Sequence, residues 1–249
     1  GLRYGTPEAT ACSVEVHETL ALAAYRSSVI MAKERGAFKV YDAKREENNP
    51  YIQRIKEADP ELYNLMVQHG RRNIACLTIA PTGTTSIMTQ TTSGIEPVFQ
   101  PVYRRRRKVN PNDKNVHVDL VDEVGDSFEE YVVFHHKFIT WMNANGYTYD
   151  ASHRYTTEEI DELVKKSPYY KATANDVDWM EKVHMQGAIQ KWVDHSISVT
   201  INLPNDVTEE LVGKLYEEAW RCGCKGCTVY RDGSRPGVRE GMKEKKNDE

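Results

Sequence analysis

No stretch of this sequence stays apolar for the roughly 18 residues that a membrane-crossing helix needs. Its first residues also lack the charged start, apolar centre and small-residue cleavage site of a secretory signal. No membrane partner is expected, and a cytoplasmic location is. An excess of one charge is missing too. Lys and Arg number 33 against 37 Asp and Glu, a formal net charge of −4, so no global basic field recruits nucleic acid. Arg104 to Lys108 is a local run of five cations, read as a solvated strand or loop edge. Cysteines are few and odd in number, five in all, which argues for thiols rather than a disulfide framework. Three of them crowd into CGCKGC, as Cys222, Cys224 and Cys227. Cys224 and Cys227 make a CxxC, yet a closed zinc site needs four ligands, and no second CxxC or paired His stands nearby in sequence. No metal is assigned there. Small residues packed at a helix-to-strand junction are the leading interpretation, with a redox pair at Cys224 and Cys227 as the alternative.

What the chain does have is 39% hydrophobic and 28% charged residues over 249 positions, enough for a substantial core in one or two domains. The most informative segment runs from Asn73 to Phe99. Ile74, Ala75, Leu77, Ile79 and Ala80 form a short apolar run, as expected of a strand covered on both faces. Pro81 ends it. Thr82, Gly83, Thr84, Thr85 and Ser86 then bring hydroxyls and unblocked N–H groups to a predicted helix start, and Gly83 lets the backbone approach a ligand closely. Such a start attracts phosphate. No Lys follows the glycine as it would in GxxxxGK[ST], so any anion here is held by hydrogen bonds and dipole alone. An N-cap and turn with no ligand is the plain alternative.

Elsewhere helices alternate with short strands. A long helix is expected from Cys12 to Arg35, stopped by Gly36, followed by an extended AFKVYD. One or two helices fill Asn49 to Gly70, with Asp59-Pro60 marking a start. VYRRRRKVN, NVHVDLVDE and EEYVVFHH have strand character and suggest a β-rich insertion over 102–150. Thr156 or Thr157 caps the next helix, and another begins near Asp176 with its cap at Asn175-Asp176. SISVTINLP and KGCTVY are strands on either side of a helix that Gly223 stops, which implies parallel pairing in an α/β fold. Four parts follow: 1–101 with the hydroxyl loop, the insertion 102–150, an α/β part at 151–235, and a charged tail at 236–249 expected to be mobile.

The ordered strings RRNIACLTIAPTGTTS, TQTTSGIEPVF, YYKATANDVDWMEKV, QKWVDHSISVTINLPND and CKGCTVYRDGSR resemble the C-terminal half of the catalytic subunit of ribonucleotide reductase, particularly its adenosylcobalamin-dependent class. The resemblance covers roughly Gly1 to Val238. It implies an α/β barrel of ten strands, of which this chain supplies the second half. It further implies that Pro81, Thr82, Gly83, Thr84, Thr85 and Ser86 bind substrate phosphates, and that Gly94, Ile95, Glu96 and Pro97 form a turn beside the active site, with Glu96 structural.

The family's radical cysteine in an NxCxE pattern is not found, and neither Cys12 nor Cys76 takes its place. The chain is therefore expected to start downstream of the catalytic cysteines, to need an N-terminal half, and to be inactive alone. Where the metal-dependent class carries two adjacent tyrosines, this chain has Tyr230-Arg231, which favours adenosylcobalamin as cofactor. The implied partners are a ribonucleotide, the missing half, and a thioredoxin-like or other thiol reductant. The alternatives are the metal-dependent class, and a non-catalytic nucleotide-binding or assembly module.

Overall fold

The computed structural model describes residues 1–110 and 116–234; the tail expected at 236–249 lies outside the described residues. In chain order the elements are α1 (Pro7–Arg35), α2 (Ala43–Glu46), α3 (Pro50–Ala58), α4 (Pro60–His69), α5 (Gly83–Thr89), β1 (Val102–Lys108), β2 (Leu120–Val121), β3 (Ser127–Phe134), α6 (His136–Ala144), α7 (Thr157–Lys166), α8 (Trp179–Gln190), β4 (Thr200–Leu203), α9 (Glu209–Arg221) and β5 (Thr228–Arg231). They fall into two compact units. Among the described residues, one comprises 1–10 with those of 81–177, the other 11–80 with 178–234.

Local chemistry explains most helix ends. The Asp59 carboxylate accepts from Leu62 N at 2.9 Å and starts α4, with Pro60 at the first helical position where its missing N–H costs nothing. Thr156 and Glu159 form a reciprocal capping box at α7. α1 begins earlier than expected and ends where Gly36, at φ 79°, donates to Ala32 O. α8 begins later than expected: Asp178, not Asn175-Asp176, accepts from Met180 N and Glu181 N.

In the larger unit, Tyr25 and Val29 of α1 pack on Ile52, Ile55, Leu62 and Met66 of α3 and α4. Ile55 and Leu62 are fully buried, each such side chain stabilising by about 1.5–3 kcal/mol. A second cluster joins Val183 of α8, Ile201 and Leu203 of β4, and Leu215 and Ala219 of α9. β4 and β5 pair in parallel from Thr200 with Thr228 to Leu203 with Arg231, around the α9 crossover, as the strand–helix–strand pattern implied.

In the other unit, β1, β3 and β2 form an antiparallel sheet in that order. Phe134, Phe138, Met142 and Val102 make its core with α6. The β1 cations face acids across the strands: Arg106 lies 2.6 Å from Glu130 and Arg107 2.9 Å from Glu129, while Lys108 pairs with Asp126. The cation run is thus a solvated, largely neutralised face.

Three expectations are corrected. Residues 74–80 are not a strand covered on both faces: Ile74 is 65% exposed, and Ile79 makes a single parallel bridge to Ile197. AFKVYD is a turn, closed by Tyr41 N donating to Phe38 O. NVHVDLVDE pairs only at Leu120 and Val121, and α6 lies in a segment expected to be strand-rich. The described residues contain five strands in two sheets and no closed barrel.

Candidate functional site

The hydroxyl loop opens α5, and its cap is unusual. Thr82 occupies the N-cap position, yet its side chain makes no capping bond. Its hydroxyl instead accepts from Gly94 N at 3.0 Å, tying the loop to the GIEP turn. A second tie lies alongside, where Ser86 Oγ and Ser93 Oγ stand 3.0 Å apart; Ser86 is buried and also donates to Gly83 O. Pro81, Thr82, Gly83, Thr84 and Thr85 are exposed. Gly83 N donates to Pro81 O and Ser86 N to Thr82 O, which leaves the Thr84 and Thr85 amides with no acceptor among the described residues. A Cβ added at Gly83 would meet open space. Among the described residues nothing packs against that position.

The GIEP turn is fixed from several sides. Gly94 sits at φ 51° in the turn closed by Glu96 N donating to Ser93 O, a conformation that favours glycine. The Tyr4 hydroxyl donates to Ile95 O at 2.6 Å, and burial, then the Glu96 charge, pushes this phenol well above its ordinary range. Pro97 is buried, and Val98 O accepts from Ala174 N. The structure therefore brings together all ten residues that the sequence singled out for the loop and turn.

Cys224 and Cys227 lie elsewhere, in the larger unit, against the apolar cluster of α8, β4 and α9. Burial, then the neighbouring Cys222 and Cys227, pushes the Cys224 thiol up to about 12, and burial raises Cys227 as well. Both favour the protonated thiol at neutral pH, the opposite of an activated exchange cysteine. Packing is the role these surroundings support.

Sequence reasoning missed Asp194, because its partners lie far away along the chain. Its carboxylate accepts from Tyr25 Oη at 2.8 Å, Cys76 N at 2.7 Å and Leu77 N at 2.9 Å. Asp194 thus anchors the Cys76–Leu77 end of the 74–80 segment, next to the parallel bridge that Ile79 makes with Ile197. Beside it lies a cleft of about 240 Å³ lined by Tyr25, Glu46, Tyr51, Arg71, Asp194 and Lys225. Arg71 is buried there, forked onto Glu46 and flanked by the rings of Tyr25, Phe38 and Tyr41 at 5.3–5.7 Å. Its charge is paired with Glu46, while its Nε, also buried, has no hydrogen-bond partner among the described residues. His195 is exposed, and its backbone N–H donates to Leu77 O.

The model of the family described as "Ribonucleotide reductase, barrel domain" matches residues 1–230. The chain belongs to this ribonucleotide reductase family. A vitamin B12-dependent ribonucleoside-diphosphate reductase of Mycobacterium tuberculosis is 28% identical over 243 residues, covering 95% of this chain and 30% of the relative. One of Thermoplasma acidophilum is 32% identical over 164 residues, 66% of this chain and 20% of the relative. A vitamin B12-dependent ribonucleotide reductase of Streptomyces avermitilis is 28% identical over 200 residues, 77% of this chain and 19% of the relative. The barrel-domain chain thus spans under a third of the length of these curated relatives. No helix among its described residues is long and apolar enough to cross a membrane.

Proposed function

We propose that this chain supplies the substrate-holding portion of a ribonucleotide reductase, in which Thr82 to Ser86 receive the phosphates of a ribonucleotide. The observation that carries this is the exposed loop whose Thr84 and Thr85 amides lack acceptors while Thr82 links it to the GIEP turn. Family membership supports the reaction, replacement of the ribose 2′-hydroxyl by hydrogen. The finer fold assignment, half of a ten-stranded barrel with 102–150 inserted, belongs to the same proposal.

On this proposal, two backbone amides and up to three hydroxyls hold the phosphates by hydrogen bonds without a cation. Fixing the phosphates orients the ribose at the other end of the nucleotide, which is the positioning part of catalysis. The radical-bearing cysteine comes from the remaining part of the enzyme, as does electron supply from a thiol reductant.

The relatives named above are B12-dependent, and adenosylcobalamin is the cofactor proposed, supplying the radical initiator when bound. The 240 Å³ cleft is smaller than the ~300–1,000 Å³ of pockets for drug-sized ligands. It does not fit a corrinoid, so no residue of this chain is assigned to the cofactor. A second subunit relaying a radical through paired tyrosines finds no match at Tyr230-Arg231. Turnover with adenosylcobalamin and no second metal subunit tests that choice.

Replacing Thr84 and Thr85 together by Val in the assembled enzyme tests the loop. Hydrogen bonds to charged groups contribute about 1.5–3 kcal/mol each. The substrate KM is therefore expected to rise at least roughly tenfold with kcat little changed, the mark of lost ground-state binding. An unaltered KM would sink the assignment.

A further inference from the structure

α8 and α9 carry a side-chain cluster that the reductase chemistry leaves unused. His184 Nε2 of α8 lies 2.9 Å from Glu218 Oε1 of α9, and Cys222 Sγ lies 3.6 Å from the same oxygen. All three ligand atoms fall within 4.8 Å of one another. We propose that His184, Glu218 and Cys222 form a binding site for a zinc-class divalent cation, with water as the fourth ligand.

Bond lengths of about 2.0–2.3 Å around a tetrahedral ion put neighbouring ligand atoms roughly 3.3–3.7 Å apart. The sulfur–oxygen separation already equals such an edge. The nitrogen–oxygen pair need open by only a few tenths of an ångström, which the exposed His184 ring, with 56% of its side chain accessible, is free to do. Glu218 and Cys222 stand one helical turn apart, so both point to one side of α9. The facing helix is held close because Gly187 of α8 has no side chain: a Cβ there would lie 2.6 Å from Cys222 Cβ.

Arg221 lies 3.8 Å from the second Glu218 oxygen, Oε2, leaving Oε1 as the shared atom. A carboxylate and a thiolate together neutralise a dication, and binding releases the Cys222 thiol proton to solvent. Imidazole and thiolate favour zinc or cobalt over magnesium or calcium. Without an ion, the same contacts amount to an imidazole–carboxylate hydrogen bond and an S–H donor.

Cobalt(II) chloride titrated into the reduced full chain distinguishes the two. The expected result is a saturable thiolate-to-cobalt charge-transfer band at one ion per chain, displaced by zinc. Cys222→Ser should abolish the band and His184→Ala should weaken binding by roughly tenfold or more. Glu218→Gln, which preserves shape and can still hydrogen-bond, should keep the native circular dichroism while weakening binding comparably. Joint Cys224→Ala and Cys227→Ala should leave the band in place. No band in the parent chain, or a band that survives Cys222→Ser, would overturn the site.

Discussion

Asp59 closes α3 through its backbone N–H, which donates to Ile55 O, and through one carboxylate starts α4 and meets α1. One oxygen accepts from Leu62 N; the other lies 2.6 Å from the Arg26 guanidinium. Burial alone would raise this carboxyl, but the Leu62 N–H and Arg26 outweigh it and hold it below the ordinary aspartate range. A folded-state pKa lowered in this way gives stability that is complete above the unfolded value of about 3.9 and is lost as pH falls through the folded one. Asp59→Ala is expected to cost about 1–2 kcal/mol in urea unfolding at neutral pH. Asp59→Asn should keep much of the cap while flattening the loss of melting temperature below pH 4. The role of Asp59 is legible in the sequence because the dipeptide with Pro60 is its own signal. Asp194 is not legible, since its partners stand 118 and 169 positions away.

The same contrast runs through the elements. The capping box of α7 and the stop at Gly36 are local and readable, whereas the 74–80 run misled because apolar residues also line an irregular segment gripped by a side chain. α6 was hidden in FITWMNA, whose aromatic and β-branched residues suit a strand as well. The approach of α8 to α9 was equally unreadable, because a lone glycine within a helical pattern does not say what lies against it. Gly187→Ala would put its Cβ 2.6 Å from Cys222 Cβ and 2.8 Å from Cys222 O. Backbone must move, so the better helix former should nevertheless destabilise by about 1–3 kcal/mol. Gly213, with open space around it, is the control position at which alanine should stabilise.

Across the whole chain, the parallel β4–β5 pair was predictable from strand–helix–strand order, and the hydroxyl loop from its wording. Their assembly was not, because it rests on contacts between distant residues. Asp194 is the clearest case: Asp194→Ala would strip the acceptor from the Tyr25 hydroxyl and two backbone amides at once. At about 1–3 kcal/mol for each buried group left unsatisfied, a loss of roughly 3 kcal/mol or more is expected in equilibrium unfolding. A loss below about 1 kcal/mol would show that solvent replaces the carboxylate. Contacts of this sequence separation also form late and slowly as a chain folds.

The two ties across the hydroxyl loop, Thr82 to Gly94 and Ser86 to Ser93, have a consequence for recognition. Ordering a backbone residue costs about 1–2 kcal/mol in conformational entropy. Here that cost is met during folding, so on the proposed function a substrate phosphate would meet a preorganised receptor, and its hydrogen bonds would not be spent on shaping one.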